Sequence, residues 1–238
     1  MKMPLLSRYH SVGYSEEQYN LEKRIVRHSL FVSCSLLIVL WLVKLFEFEF
    51  DLDFSTWGVL PHDLTGLRGI LFSPLIHADF KHLIANSIPL FILTFSLFFF
   101  YRKSSYTIFV LLYLLSGIFV WLAAREAIHI GASGLIYGLA AFLFMSGIIS
   151  FNVRLLTISL IVALIYGGLF WGIFPFKPEI SWESHLWGGI SGLGLAFFYR
   201  NSVPADPPEE EIDEDEENEE FVPENEIEPD DEPTRENN

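Results

Sequence analysis

Six apolar runs, at roughly 29–46, 83–101, 106–124, 133–150, 155–173 and 185–199, decide what this chain can fold into. A helix needs about 20 residues to cross ~30 Å of hydrocarbon, and only elements that satisfy their own backbone groups survive there. With 51% hydrophobic residues and 23 Phe, the chain is too oily for a soluble domain of 238 residues. The fold class expected is an all-α membrane protein with six transmembrane helices. The fourth and sixth runs are short, which is tolerated where a helix end is sheltered in protein or beside a water-filled cavity. Those two runs open on Ser133 and His185.

Charge divides the chain further. Residues 203–238 hold eighteen Asp and Glu against the single Arg235, while the rest holds twelve acids and fourteen bases. The formal charge of -15 therefore belongs to the tail, which reads as a disordered, solvated acidic appendage. Nothing in this split points to nucleic acid. Residues 1–28 form a polar, basic leader with no apolar core of a cleavable signal peptide. Lys and Arg favour the N-terminal side by nine to five, which puts leader and tail in the cytoplasm of a multi-pass cell-membrane protein. The lone Cys34 has no internal partner and is expected to pack.

Between the first two spans, the loop at about 47–81 is too long for a mere connector. Its opening, Phe46 to Phe54, alternates apolar and acidic residues and predicts an extended segment with one greasy edge. The Trp57, Leu60, Leu64 and Leu67 that follow suit a structure lying in the membrane interface.

Three stretches carry candidate chemistry. Gly131-Ala132-Ser133-Gly134 heads the fourth run. A serine nucleophile needs a base, oxyanion donors and water. Gly131 and Gly134 permit close approach of a substrate carbonyl, and the free N–H groups at a helix head favour negative charge. The same glycines serve helix packing equally well, since Gly134 and Gly138 form a small-xxx-small pair.

The sixth run opens with His185, and Gly188 and Gly192 share roughly its helix face. Glycine packed on glycine would bring His185 level with Ser133. Tyr137, one turn after Ser133, could buttress the imidazole. Glu183 is near in sequence, but a two-residue dyad is the expectation.

The third stretch runs from His77 to Asn86. His82 and Asn86 lie one turn apart and offer an imidazole N–H and a carboxamide, both suited to an oxyanion. His77 is expected to anchor the preceding loop. A metal site built from His77, His82, His129 and His185 competes with this, but there is no HExxH and no nearby pair of acids. No metal or cofactor is expected.

In chain order these are HxxxxHxxxN, GxSG, a tyrosine four residues after the serine, and HxxGxxxG. From about residue 30 to 200 the chain resembles the rhomboid family of intramembrane serine proteases. The resemblance implies a six-helix rhomboid-like core over 29–202 with an interfacial first loop. It implies Ser133 as nucleophile and His185 as base and then acid. Its oxyanion hole would be His82, Asn86 and the Ser133 N–H, with Tyr137 stacked on His185 and His77 structural. Where the family's first loop often carries Trp-Arg, this chain has Leu67-Arg68. The substrates expected are transmembrane proteins of the lipid bilayer, cut in or near a membrane-spanning segment towards its external end, with Pro89 and Gly167-Gly168 helping helices part. The rival is a non-catalytic membrane protein that binds or escorts transmembrane clients on the same scaffold.

Overall fold

The computed structural model describes residues 16–165, 172–175 and 181–202. The acidic tail from 203, the start of the leader and Gly167-Gly168 lie outside the described residues. The chain divides into a unit of residues 1–206 and another of 207–238, and all described residues belong to the first. Among them the fold is all helical: α1 (Glu16–Glu49), α2 (Gly69–Phe72), α3 (Phe80–Phe100), α4 (Ser105–Ala123), α5 (Ser133–Ile149), α6 (Val153–Ile165) and α7 (Trp182–Phe198). Three short 3-10 helices, Ser55–Trp57, Leu64–Arg68 and Ser73–Leu75, complete the segment between α1 and α3.

Tyr19–Glu49 of α1, α3 and α4 are long and apolar enough to cross a membrane, whereas α5 and Val153–Leu164 of α6 are shorter apolar helices. The first helix starts inside the basic leader, because residues 16–28 contain no Gly or Pro and are rich in helix formers. Its buried polar and apolar side chains, Ser29, Ser33, Leu40 and Glu47, fall on one stripe. Cys34 is off that stripe and exposed, which corrects its expected packing role.

The loop departs from its sequence pattern as well. Instead of becoming extended at Phe46, α1 continues through Glu49, and the chain then turns at Asp51 with φ +50°. Two local interactions outweigh the alternation. Lys44 Nζ lies 2.9 Å from Glu47 Oε2, and the Phe46 and Phe50 rings meet at 4.5 Å on successive helical turns. Glu47 Oε1 then accepts the Phe54 N–H at 2.9 Å, so the carboxylate turns the chain back on itself. Lys44 also donates to the carbonyls of His77 (3.0 Å) and Ala78 (3.1 Å), tying the end of α1 to the approach to α3. Further along, Arg68 donates to the Thr56 carbonyl at 3.0 Å and covers the Trp57 ring at 5.1 Å.

α5 is the central helix, packed against α7, α6, α3 and α4, while α1 lies on α3. Leu83, Leu90, Leu93 and Leu97 of α3 meet Leu135, Leu139, Phe142 and Leu143 of α5 in the core. Lipid is as apolar as these side chains, so helix association there depends on close packing more than on leaving the solvent. Buried hydroxyls return to their own helices: Ser87 donates to the Leu83 carbonyl and Ser116 to that of Leu112, each at 2.8 Å. That pattern satisfies polar groups without a partner from outside.

Candidate active site

The site is set by how closely α5 and α7 approach. A Cβ at Gly188 would run into the Gly134 carbonyl, and one at Gly192 into the carbonyl of Gly138. Only hydrogen at those two positions allows the backbones this near, and it brings the heads of the two helices together. There His185 Nε2 stands 2.8 Å from Ser133 Oγ. His185 Nδ1 lies 2.8 Å from the Gly172 carbonyl, which can only accept. The imidazole hydrogen is therefore on Nδ1, and the Nε2 lone pair receives the Ser133 O–H. Tyr137 stacks on the imidazole with centroids 4.2 Å apart and planes within 6°. His185 itself is only 8% exposed. Glu183 does not orient this ring; its buried carboxylate lies 3.2 Å from Arg125 Nε.

Two residues before the serine, Gly131 has φ +106°, a conformation that glycine adopts without steric cost. The His82 ring lies directly against it, with the Asn86 amide just beyond. The sequence reading had His77 anchoring the segment that precedes the helix of these two. In the structure Asp79 caps α3 by accepting the His82 N–H at 2.7 Å, so His77 sits in the preceding turn. Its buried ring packs edge-on against His82, centroids 5.1 Å apart, and turns Nε2 toward the Ala132 N–H at 3.5 Å. Burial and the neighbouring His82 push His77 down to about 4, so it is neutral and can accept.

These contacts divide the backbone donors ahead of α5. The Gly131 N–H goes to the Ser73 carbonyl at 2.8 Å, and the Ala132 N–H faces His77. The Ser133 N–H opens the helix and so has no acceptor within it. Asn86 Nδ2 is shut from solvent and has no hydrogen-bond partner. A buried amide without a partner is costly, which makes it a donor waiting for an acceptor. A small cleft runs beside Gly131 and Gly134, lined by Ser73, Ser116, Val120, His129, Leu135 and Ser184 among others.

His129, a candidate metal ligand in the sequence, is engaged elsewhere: its Nδ1 is 2.5 Å from Ser181 Oγ and its Nε2 is 3.2 Å from the Arg125 carbonyl. Among the described residues no group of three His, Cys, Asp or Glu converges where it could hold a metal ion. The Ser73 and Gly172 carbonyls, Arg125 and Ser181 escaped sequence reasoning. A carbonyl has no side-chain signature, and His129, four residues before Ser133, was weighed in the sequence only as a metal ligand.

A family model for the Rhomboid domain matches residues 65–202. Uncharacterized proteins of Mycobacterium bovis and Mycobacterium tuberculosis are each 33% identical to the chain over 168 residues, covering 67% of it and 70% of their own length. One of Mycobacterium leprae is 32% identical over 173 residues, covering 67% of this chain and 66% of its own. The matched span starts in the loop after α1 and takes in the Ser133 hydroxyl, the His185 imidazole, the Gly172 carbonyl and the unsatisfied Asn86 amide, and on that footing the chain belongs to the rhomboid family.

Proposed function

We propose that this integral membrane protein is an intramembrane serine endopeptidase that hydrolyses peptide bonds in or near transmembrane segments. The observation that carries this is the 2.8 Å approach of Ser133 Oγ to an imidazole nitrogen whose lone pair is freed by the Gly172 carbonyl. A serine is a weak nucleophile until a positioned base takes its proton.

In the proposed reaction the Ser133 proton passes to His185 Nε2 as Oγ attacks the scissile carbonyl carbon. The oxyanion receives the Asn86 amide, the His82 imidazole N–H and the Ser133 N–H. His185 then gives its proton to the leaving amine as the C–N bond breaks, leaving an acyl ester on Ser133. Water, deprotonated by the same imidazole, hydrolyses that ester and regenerates the hydroxyl. Tyr137 holds the ring in plane, and the Gly172 carbonyl takes the orienting part that a carboxylate has in a triad. The stable backbone of a helical substrate is closed to attack, so local unwinding and small or helix-breaking residues at the cut are expected.

The architecture proposed with this chemistry is six spans with both termini cytoplasmic in the cell membrane, an interfacial first loop, and leader and tail as solvated appendages. Helices of 17 residues support the shorter spans, since they measure about 25 Å. The test is a serine-directed fluorophosphonate on purified full-length protein, with cleavage of a reporter transmembrane segment measured alongside. Labelling at Ser133, lost together with cleavage in Ser133→Ala, is the expected result. A chain that neither labels nor cleaves is better read as a binder of transmembrane clients.

A further inference from the structure

Ser133 and His185 come from segments 52 residues apart, and each sits within the first turn of its helix. The α5–α7 glycine contact sets how far apart the helices lie, but a helix head can still slide or fray. Something must hold the two incoming segments in register. His129 and Ser181 are placed for this, because each lies four residues before its member of the pair.

The His129 backbone is pinned first. Its N–H and C=O both bond to Val59, each at 2.9 Å, in an isolated antiparallel bridge. Its side chain is 2% exposed. The Arg125 carbonyl takes the Nε2 hydrogen, so Nδ1 is the acceptor and the Ser181 O–H donates to it at 2.5 Å. That leaves the Ser181 oxygen to accept from the Ser184 O–H at 2.6 Å, one residue before His185. The hydroxyls and imidazole thus form a directed chain from the head of α7 to the loop feeding α5. A second tie, Arg125 to Glu183, runs parallel to it.

We propose that His129, Ser181 and Ser184 are positioning residues, a clamp that holds the Ser133 hydroxyl in line with His185 Nε2 without touching the substrate. The inference rests on the protease reading above for its kinetic consequences, and on geometry alone for the clamp itself. Reaction rate is steeply sensitive to placement, with a 1 Å error worth about 100-fold. Loss of the clamp therefore lowers kcat and leaves substrate binding intact.

The experiment uses the full-length chain with Ser181→Ala and Ser181→Thr. For Ser181→Ala, kcat and the fluorophosphonate labelling rate fall about 30- to 100-fold with KM within about twofold, and Ser181→Thr recovers most of the loss. Wild-type kcat in Ser181→Ala, or a loss that threonine does not recover, overturns the clamp. Should Ser181→Ala fail to fold, Ser184→Ala removes only the last donor of the chain. It lowers kcat several-fold, and an unchanged kcat overturns the proposal. An arm without catalysis separates the two readings. With Cys34→Ser, Ser133→Cys and His185→Cys combined, the rate at which an added thiol oxidant (oxidised glutathione) converts the two thiols to a disulfide reports the alignment. Adding Ser181→Ala slows that rate if the clamp exists and leaves it unchanged if it does not. Absence of labelling in the wild-type chain counts only against the protease reading.

Discussion

Two serine–histidine pairs lie near the heads of α5 and α7, and they differ in what surrounds them. In both, a backbone carbonyl holds one imidazole nitrogen and the other accepts a serine O–H. Ser181 Oγ is closed off, since it donates to His129 and accepts from Ser184. Near Ser133 the surroundings differ: Gly131, two residues before it, has beside it the His82 ring and the unsatisfied Asn86 amide. A hydrogen bond to an imidazole therefore does not by itself make a nucleophile. A pair that reacts also needs open donors where negative charge would develop and a glycine whose missing side chain leaves room for a carbonyl.

The largest test of this contrast is to remove each hydroxyl in turn. Ser133→Ala is expected to lower cleavage of a reporter segment by ~10⁴-fold or more, against the far smaller loss expected for Ser181→Ala. Equal losses would erase the distinction between the pairs. Next comes the donor that only the first pair possesses: Asn86→Ala should reduce kcat about 10²- to 10³-fold with little change in KM, measured by steady-state cleavage. An unchanged kcat would remove Asn86 from the proposed oxyanion site.

Protonation gives a third handle, because the histidines supporting both pairs must stay neutral to accept. Burial and His82 hold His77 down to about 4, and burial lowers His129 as well. An unfolded chain takes up these protons near the ordinary 6.5, so the folded state loses stability as pH falls from 6.5 towards 4. For His77 the loss over that window is about 3 kcal/mol, at ~1.4 kcal/mol per unit. Thermal unfolding in detergent from neutral pH down to 4 should show the decline, and His77→Asn should flatten it. A slope that His77→Asn leaves intact would assign the effect to other groups.

The smallest effect concerns the helix contact that both pairs share. Gly192→Ala puts a methyl against the Gly138 carbonyl and should cost about 1–3 kcal/mol in thermal unfolding. Gly189→Ala, which meets nothing within 4 Å, should be neutral or slightly stabilising by helix propensity. Equal melting temperatures for the two variants would show that close approach does not govern this interface.

Much of this frame was legible in the sequence. Apolar length marked where helices would form, and Gly188 and Gly192, four residues apart like Gly134 and Gly138, named the faces that could meet. The loop was less legible: Phe46–Phe54 alternates as a strand would, yet the Lys44–Glu47 ion pair and the Phe46–Phe50 contact keep α1 helical to Glu49. Cys34 went astray for a related reason, since a helix apolar on every side does not announce which face will pack.

The amino-acid order determined which groups were available: a hydroxyl and an imidazole at helix heads, with glycines at intervals that let backbones touch. Only the tertiary structure decided their states. His185 presents a lone pair to Ser133 because the Gly172 carbonyl claims the opposite nitrogen, and His129 is occupied because Ser181 and the Arg125 carbonyl reach it. Backbone carbonyls are the same in every residue, so no letter in the sequence marks the one that will orient an imidazole. Its position follows only when distant segments have packed.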